Sequence, residues 1–379
     1  INNKKIKSCI MPIVIFLVAL GVRFWGLNEQ GQTWDEAAYY DGVVQYIGNF
    51  EAGDFDPGHW NRNFEHPPVA KWIYGISNAV LKDNGIIGLG KYTPGRIASA
   101  CMGALTIVLV YFLVLEIFKS KRAAVLSSCI LIFLPTFLAH NKVMGLETPS
   151  ALFYTWAVYR FYIGLTRKRY FLLLSAIPAS LAIGTRFNNG HLMFFMVAMI
   201  FIYYFIPFKD LKDKKFPWIA VLIPVISLLL IWAIWPWYWG NVANHLDLNQ
   251  RFLTTQLNSQ ADGAATDWFL GANVIPPWYY FIYYFFATTP LLILILLIVY
   301  SVKYFKNINF ANTYLLGWFL IFFVMSFVGF KQDGIRYIYP ILVPVSIMAA
   351  YALDKLFKNS KFYIAASILI VYLVYLCVA

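Results

Sequence analysis

Five clusters interrupt an otherwise apolar chain and together gather acids and isolated cations. The first is Gln32-Thr33-Trp34-Asp35-Glu36-Ala37-Ala38-Tyr39-Tyr40, just past an apolar run over roughly residues 9–27. The second is Asn63-Phe64-Glu65-His66-Pro67-Pro68-Val69-Ala70-Lys71. The third runs from His140 to Pro149, with Glu147 opening the stretch that follows. In the fourth, Gly184-Thr185-Arg186-Phe187-Asn188-Asn189-Gly190, an arginine breaks an apolar run with no acid nearby in sequence. The fifth, Phe330 to Tyr337, carries Asp333 and Arg336. A charge buried at the centre of a membrane span costs roughly 2.5–3.5 kcal/mol on insertion scales, so ionisable groups near spans are candidates for function. Plainer readings exist for all of them. Asp35 and Glu36 read as solvated loop residues, and the Pro-Pro segment as a turn before a surface helix. Glu147 suits the positive end of a helix dipole, Arg186 reads as a snorkelling cation, and Asp333 as a partner for Arg336. The chemistry these types supply is definite. A carboxylate takes a proton from a hydroxyl or amine. A cation holds negative charge developing on a phosphate. Arginine suits that task because it stays charged and binds two oxygens at once.

The elements that must position them are membrane helices. Of 379 residues, 60% are hydrophobic and 19% aromatic; 13% are charged, about half the share of a soluble domain. Apolar runs of about 20 residues recur, each enough to cross a ~30 Å hydrocarbon core. The expected fold class is an all-α polytopic membrane protein. About eleven spans are expected, centred near residues 18, 106, 131, 156, 177, 198, 227, 290, 320, 345 and 370. Residues 1–379 read as a single transmembrane domain. The first apolar run is long enough to be a retained span rather than a cleaved signal. The four cysteines all lie in apolar runs and suggest neither disulfides nor a metal site.

Connecting segments alternate in charge. One set is short and basic: Lys4 to Lys7, Lys119 to Arg122, Arg167 to Arg169, Lys209 to Lys215, Lys303 to Lys306 and Lys355 to Lys361. With Glu116 and Asp354 it holds 18 Lys/Arg against 4 Asp/Glu; the other set holds 10 against 14, with Arg23 and Arg160 at span ends left out of both. The positive-inside rule places the basic set in the cytoplasm, with the N-terminus inside and Asp35 on the non-cytoplasmic face. The net charge of +12 is therefore a membrane signature and not a nucleic-acid footprint. Two non-cytoplasmic segments are long, about 28–92 and about 236–277. Within the first, Val43, Val44, Ile47 and Phe50, then Val69, Trp72, Ile73, Ile76 and Val80, recur at helical spacing. They predict two helices lying in the interface plane. No internal repeat is evident, which argues against a repeat-built transporter.

All five clusters then fall at one face. A sugar carried on a polyprenyl phosphate would need this combination: a base for the acceptor, cations for the leaving phosphate and an apolar groove for the tail. In order along the chain come Asp35-Glu36, His66-Pro67-Pro68-x-x-Lys71, Trp235-Pro236, Leu270-Gly271, Pro276-Pro277-Trp278-Tyr279 and Arg336-Tyr337-x-x-Pro340. This ordered set resembles the protein O-mannosyltransferase and aminoarabinose-transferase group (glycosyltransferase 39/83) of the GT-C membrane glycosyltransferases. The resemblance implies an inverting transfer from a polyprenyl- or dolichyl-phosphate sugar on the non-cytoplasmic side. The acceptor would be a hydroxyl or amine of a protein, lipid or glycan. It implies an integral protein of a bacterial or archaeal plasma membrane or of the ER membrane. By the family's pattern Asp35 corresponds to the base and Glu147 to a second acid near the acceptor or sugar; Glu36 stands beside them in the candidate catalytic set, although neighbours in a helix point about 100° apart and only one of the adjacent pair is expected in the chemistry. Lys71, Arg186 and Arg336 would bind the donor phosphate. Glu65, His66 and Tyr39 would shape the cavity. Ala38 stands where the aminoarabinose branch carries arginine, which argues against lipid A as acceptor. A divalent metal is an optional partner of such a site. Two other classes remain beside the enzyme: a lipid or solute transporter, and a non-catalytic membrane partner subunit.

Overall fold

The computed structural model describes residues 3–83, 90–211 and 214–378, without the side chains of residues 3–9, 82, 83, 325, 326 and 328. Lys212, Asp213 and residues 84–89 of the first long segment lie outside the described residues, as do the side chains of Lys4, Lys5, Lys7 and Cys9. The fold is helical. In chain order the helices are α1 (Asn3–Phe24), α2 (Trp34–Glu51), α3 (Val69–Asp83), α4 (Thr93–Phe118), α5 (Lys121–Phe133), α6 (Pro135–His140), α7 (Glu147–Thr166) and α8 (Tyr170–Ile183). They continue with α9 (His191–Phe205), α10 (Leu222–Ile234), α11 (Val242–Ala261), α12 (Tyr280–Thr288), α13 (Leu291–Lys306), α14 (Phe310–Val328), α15 (Leu342–Leu356) and α16 (Asn359–Val378). A two-stranded antiparallel hairpin, β1 (Asp267–Phe269) and β2 (Ala272–Val274), sits between α11 and α12 and pairs Asp267 with Val274.

A helix lies over ten of the eleven expected span centres. The exception is 290. Pro290 has no N–H to donate and ends the helix before it, and α12 and α13 meet there at 114°. The single span expected across residue 290 is a broken pair. Among the described residues, four helices are by themselves long and apolar enough to cross a membrane: Thr93–Phe118, Phe187–Phe205, Gly334–Leu356 and Asn359–Val378. The bent pair makes a fifth if it counts as one crossing. Several other helices over expected centres are shorter. Pro135 divides α5 from α6, and Pro217 precedes the turn into α10.

The two helices expected in the first long segment are α2 and α3, and they pack on each other. One buried apolar cluster runs from Ile15 in α1 to Leu373 in α16. At its centre α4 packs on α1, α5 and α7, and α7 on α8. A second cluster joins the first long segment to the end of α10. The Tyr46 hydroxyl donates to the Trp60 carbonyl (3.2 Å) and accepts from Trp235 Nε1 (2.8 Å), while Trp72 Nε1 donates to the Ile234 carbonyl (2.9 Å). Buried indole and phenol groups need such partners, and these bonds fix α2 and α3 over one end of the bundle.

Candidate active site

Asp35 and Glu36 are the second and third residues of α2. Thr33 caps the helix: its hydroxyl accepts the Glu36 N–H (3.4 Å), and the Glu36 carboxylate accepts the Thr33 N–H (3.1 Å). This reciprocal box is why two adjacent acids begin a helix here. Successive helical residues point about 100° apart, so the two acids diverge.

Glu36 turns inward and is fully buried. Its two oxygens accept from Arg96 Nε and Nη2, both at 2.7 Å, and Oε1 also accepts the Met144 N–H (3.1 Å). Arg96 has further N–H bonds to the carbonyls of Leu27 (3.2 Å), Gln30 (3.1 Å) and Gly31 (3.0 Å). Burial alone would raise the Glu36 carboxyl, but the Arg96 fork and the Met144 and Thr33 amides hold it below the usual carboxylate range. Glu36 therefore corrects the expectation that placed it in the catalytic set. It is a tie between α2, α4 and the turn leading to α7. Breaking a buried pair by removing one partner costs about 3–5 kcal/mol. Arg96→Met should accordingly lower the thermal unfolding midpoint in detergent far more than a surface Arg→Met control such as Arg62.

Asp35 turns the other way, to Arg336 Nη2. Arg336 Nε donates to Glu147 Oε1 (3.0 Å), and Arg186 Nη2 donates to the same oxygen (3.0 Å). Arg186 Nη1 donates to the Arg336 carbonyl (3.1 Å), and its guanidinium lies 4.9 Å from the Tyr337 ring centre. Four groups from four distant segments thus form one quartet with two charges of each sign. It is graded in exposure. The Glu147 side chain is 1% exposed and that of Arg186 9%, while those of Asp35 and Arg336 are 25% and 26%. The open side is the Asp35–Arg336 side.

Local structure explains each position. Glu147 starts α7 after a turn in which Tyr74 donates its hydroxyl to the Gly145 carbonyl (2.6 Å). A Cβ on Gly145 would collide with the Glu147 carboxylate, so the close approach requires glycine. Arg336 follows a tight turn with Asp333 at φ 56° and Gly334 at φ 59°. That turn is held from the hairpin: Asp267 accepts the Asp333 N–H (3.1 Å) and the Tyr280 hydroxyl proton, and the Tyr280 oxygen accepts the Gly334 N–H (2.9 Å). The Asp333 carboxylate is 3.7 Å from Arg336 Nη1, a looser contact than those Arg336 makes to Asp35 and Glu147. Burial, with Asp35 and Asp267 adding to it, pushes the Asp333 carboxyl up although Arg336 pulls the other way.

Tyr39, one turn beyond Asp35, meets the His66 ring edge-on at 5.4 Å. Burial first, and then Arg186 and Lys71, push His66 down to about 3, so its ring is neutral beside the quartet. Glu65 is half-buried and accepts from Asn63 Nδ2 (3.2 Å). Lys71 lies elsewhere. Its ammonium donates to the carbonyls of Arg62 (2.9 Å), Asn63 (2.7 Å) and His66 (2.9 Å) and sits 4.8 Å from the Tyr46 ring centre. All three protons are used, so Lys71 is a clamp on the 62–66 turn, which corrects its expected place at a phosphate. Burial pushes it down to about 7, with Glu65 opposing. Lys71→Met should lower the thermal unfolding midpoint in detergent, because three carbonyls of the 62–66 turn lose their donor.

Two cations were not singled out by sequence. Arg96 read as one outer charge among ten, with nothing to pair it with Glu36 sixty residues away. Arg23, set aside as a span-end residue, is fully buried. Its Nε donates to Asn141 Oδ1 (2.8 Å), and Asn141 Nδ2 donates to Thr148 Oγ1 (3.0 Å) and to the Tyr339 hydroxyl (3.0 Å). This polar layer supports the first turn of α7. An apolar groove of about 500 Å³ runs between α3, α7, α8 and the end of α10, lined among others by Val69, Ile73, Phe153, Leu181 and Ile234. The Val69 N–H donates to the Gly184 carbonyl (2.9 Å), tying the groove wall to the turn that carries Arg186. Among the described residues no group of three or more His, Cys, Asp or Glu is placed to hold a metal ion.

Residues 65–237 match the family profile described as dolichyl-phosphate-mannose-protein mannosyltransferase. The fold is that of ArnT from Cupriavidus metallidurans bound to undecaprenyl phosphate, with a TM-score of 0.67 and 16% identity over 94% of this chain and 62% of that one. The chain shares this fold along nearly its whole length. The archaeal oligosaccharyltransferase AglB from Archaeoglobus fulgidus, in complex with an inhibitory peptide and a dolichol-phosphate, is also similar: TM-score 0.60, 16% identity, 99% of this chain and 55% of that one. In sequence, an uncharacterized protein of Aquifex aeolicus (strain VF5) is 28% identical over 218 residues, 56% of this chain and 40% of that protein. The chain thus spans less than two thirds of the length of each of these. The family profile covers Glu65, His66, Lys71, Glu147 and Arg186; Asp35 and Arg336 lie outside the matched segment and join the site through the fold.

Proposed function

We propose that this chain is an inverting GT-C glycosyltransferase that moves a sugar from a polyprenyl- or dolichyl-phosphate carrier to a hydroxyl or amine of a protein, lipid or glycan. The observation that carries the reading is the quartet of Asp35, Arg336, Glu147 and Arg186 together with an apolar groove. With the basic turns in the cytoplasm, the N-terminus is cytoplasmic and the reaction takes place at the opposite face.

Without donor, Asp35 is held in an ion pair with Arg336. The carrier phosphate competes for the same guanidinium. As Arg336 turns to the phosphate, Asp35 is released with its negative charge, facing the open side. Donor binding thereby arms the base. Glu147 holds both arginines from behind and keeps them from collapsing onto the phosphate unpaired. The lipid tail lies in the groove walled by Val69, Phe153 and Leu181. Asp35 then takes the proton of the acceptor. The acceptor oxygen or nitrogen attacks the anomeric carbon from the face opposite the carrier, and the carbon–oxygen bond to phosphate breaks. The electron pair stays on the phosphate oxygen, where the arginines balance the added charge. Neutral His66 and Tyr39 line the same cavity without adding charge that would compete with the phosphate.

One base and no covalent sugar intermediate require inversion at the anomeric carbon. Proton NMR of product formed from a β-linked polyprenyl-phosphate sugar should show the α-anomer. A β-linked product would need a second displacement and would overturn this mechanism.

A further inference from the structure

At the opposite, basic end of the bundle, α13, α14 and α15 frame a half-open cavity of about 330 Å³. Its floor is the buried Tyr300 and Asn312, with the Tyr300 hydroxyl 3.2 Å from Asn312 Oδ1. Its rim is Lys303 and Lys306 in the last turn of α13 and Lys355 in the last turn of α15, with Tyr351 beside them. Lys303 Nζ donates to the Lys355 carbonyl (3.0 Å), which pins the two helix ends together. Lys355 Nζ lies 5.2 Å from the Tyr351 ring centre. No carboxylate lines the cavity. Asp354, next to Lys355, turns its side chain away to Ser120 Oγ (2.9 Å) and Arg122 Nε (2.8 Å). Two helix C-termini alone would favour lysines in their last turns. They do not call for a cavity whose three rim cations have no acid partner among the described residues and whose floor is lined by tyrosine and asparagine.

We infer that this cavity is a binding site for a phosphate-bearing anion. Ammonium groups bind phosphate as point charges, and basic clusters at a membrane surface attract anionic headgroups by about 1 kcal/mol per cation. The same chemistry is offered by the headgroup of an anionic phospholipid and by free phosphate. The site is independent of the quartet, so either assignment stands or falls without the other.

The test uses the full chain in phosphatidylcholine nanodiscs, with phosphatidylglycerol added to some and inorganic phosphate to others. Native mass spectrometry reads retained lipid, and calorimetry reads inorganic phosphate. Lys306→Gln/Lys355→Gln is the test variant; Lys303 is spared because it holds the helix ends together. Lys168→Gln/Lys209→Gln removes equal charge elsewhere on the basic end. Phosphatidylglycerol retained by the wild type and weakened on the order of thirtyfold in the test variant only supports the site with a lipid source. Inorganic phosphate bound by the wild type and lost in the test variant only supports it with a free-anion source. Binding of neither probe, equal binding by the test variant, or equal loss in the control variant overturns it.

Discussion

Replacing Arg336 by alanine should lower sugar transfer by roughly 10²–10³-fold, the usual cost of removing one preorganised donor from developing charge. Three consequences combine in this change. The phosphate loses the cation on the open side of the site. Asp35 loses its resting partner. Glu147, 1% exposed, keeps only Arg186. The third effect is structural and the first two are chemical, and they separate experimentally. Arg336→Lys restores one charge without the fork, so it should recover folding but only part of the rate, since a lysine cannot reach both Glu147 and the phosphate with aligned donors. In a transfer assay at saturating acceptor, both variants should show a raised half-saturating donor concentration as well as a lowered maximal rate.

Asp35→Asn should lower the maximal rate by about 10²–10⁴-fold, the span attributed to a positioned general base. The donor should bind no more weakly. Asparagine cannot neutralise Arg336, so that guanidinium is freer for phosphate in the variant than in the wild type. A fall in rate with donor affinity unchanged or improved is the signature of a base held in reserve by its own phosphate ligand. Asp35→Glu should be intermediate, as the carboxylate is kept but displaced by one methylene. The contrast with Glu36 sharpens the point. Glu36→Gln should damage stability first, because its oxygens are both committed to the Arg96 fork.

The architecture was readable because its signals are local. Apolar runs of span length, basic turns and helical periodicity placed ten of the eleven expected helix positions and both helices of the first long segment. The break at 290 is also local: Pro290 divides one long apolar stretch into α12 and α13, which meet at 114°. In the site, the divergence of Asp35 and Glu36 follows from helical geometry alone. What sequence did not supply was the partner of each charge. Glu36 and Arg96 are 60 positions apart, and Asp35 and Arg336 are 301 apart. Such pairs are chosen by packing, which no periodicity encodes. Lys71 shows the reverse error. Its place in a His-Pro-Pro-x-x-Lys segment suggested phosphate, yet the turn of α3 that brings it round delivers it to three carbonyls of its own loop.

The quartet's central role is tested most directly by donor turnover. Purified wild-type protein and Asp35→Asn, reconstituted in vesicles, would be given polyprenyl-phosphate mannose, glucose or aminoarabinose labelled in the sugar, with a mixed acceptor extract. The account predicts that label leaves one of these donors with the wild type and stays on it with Asp35→Asn. Turnover that proceeds equally well in Asp35→Asn would contradict it.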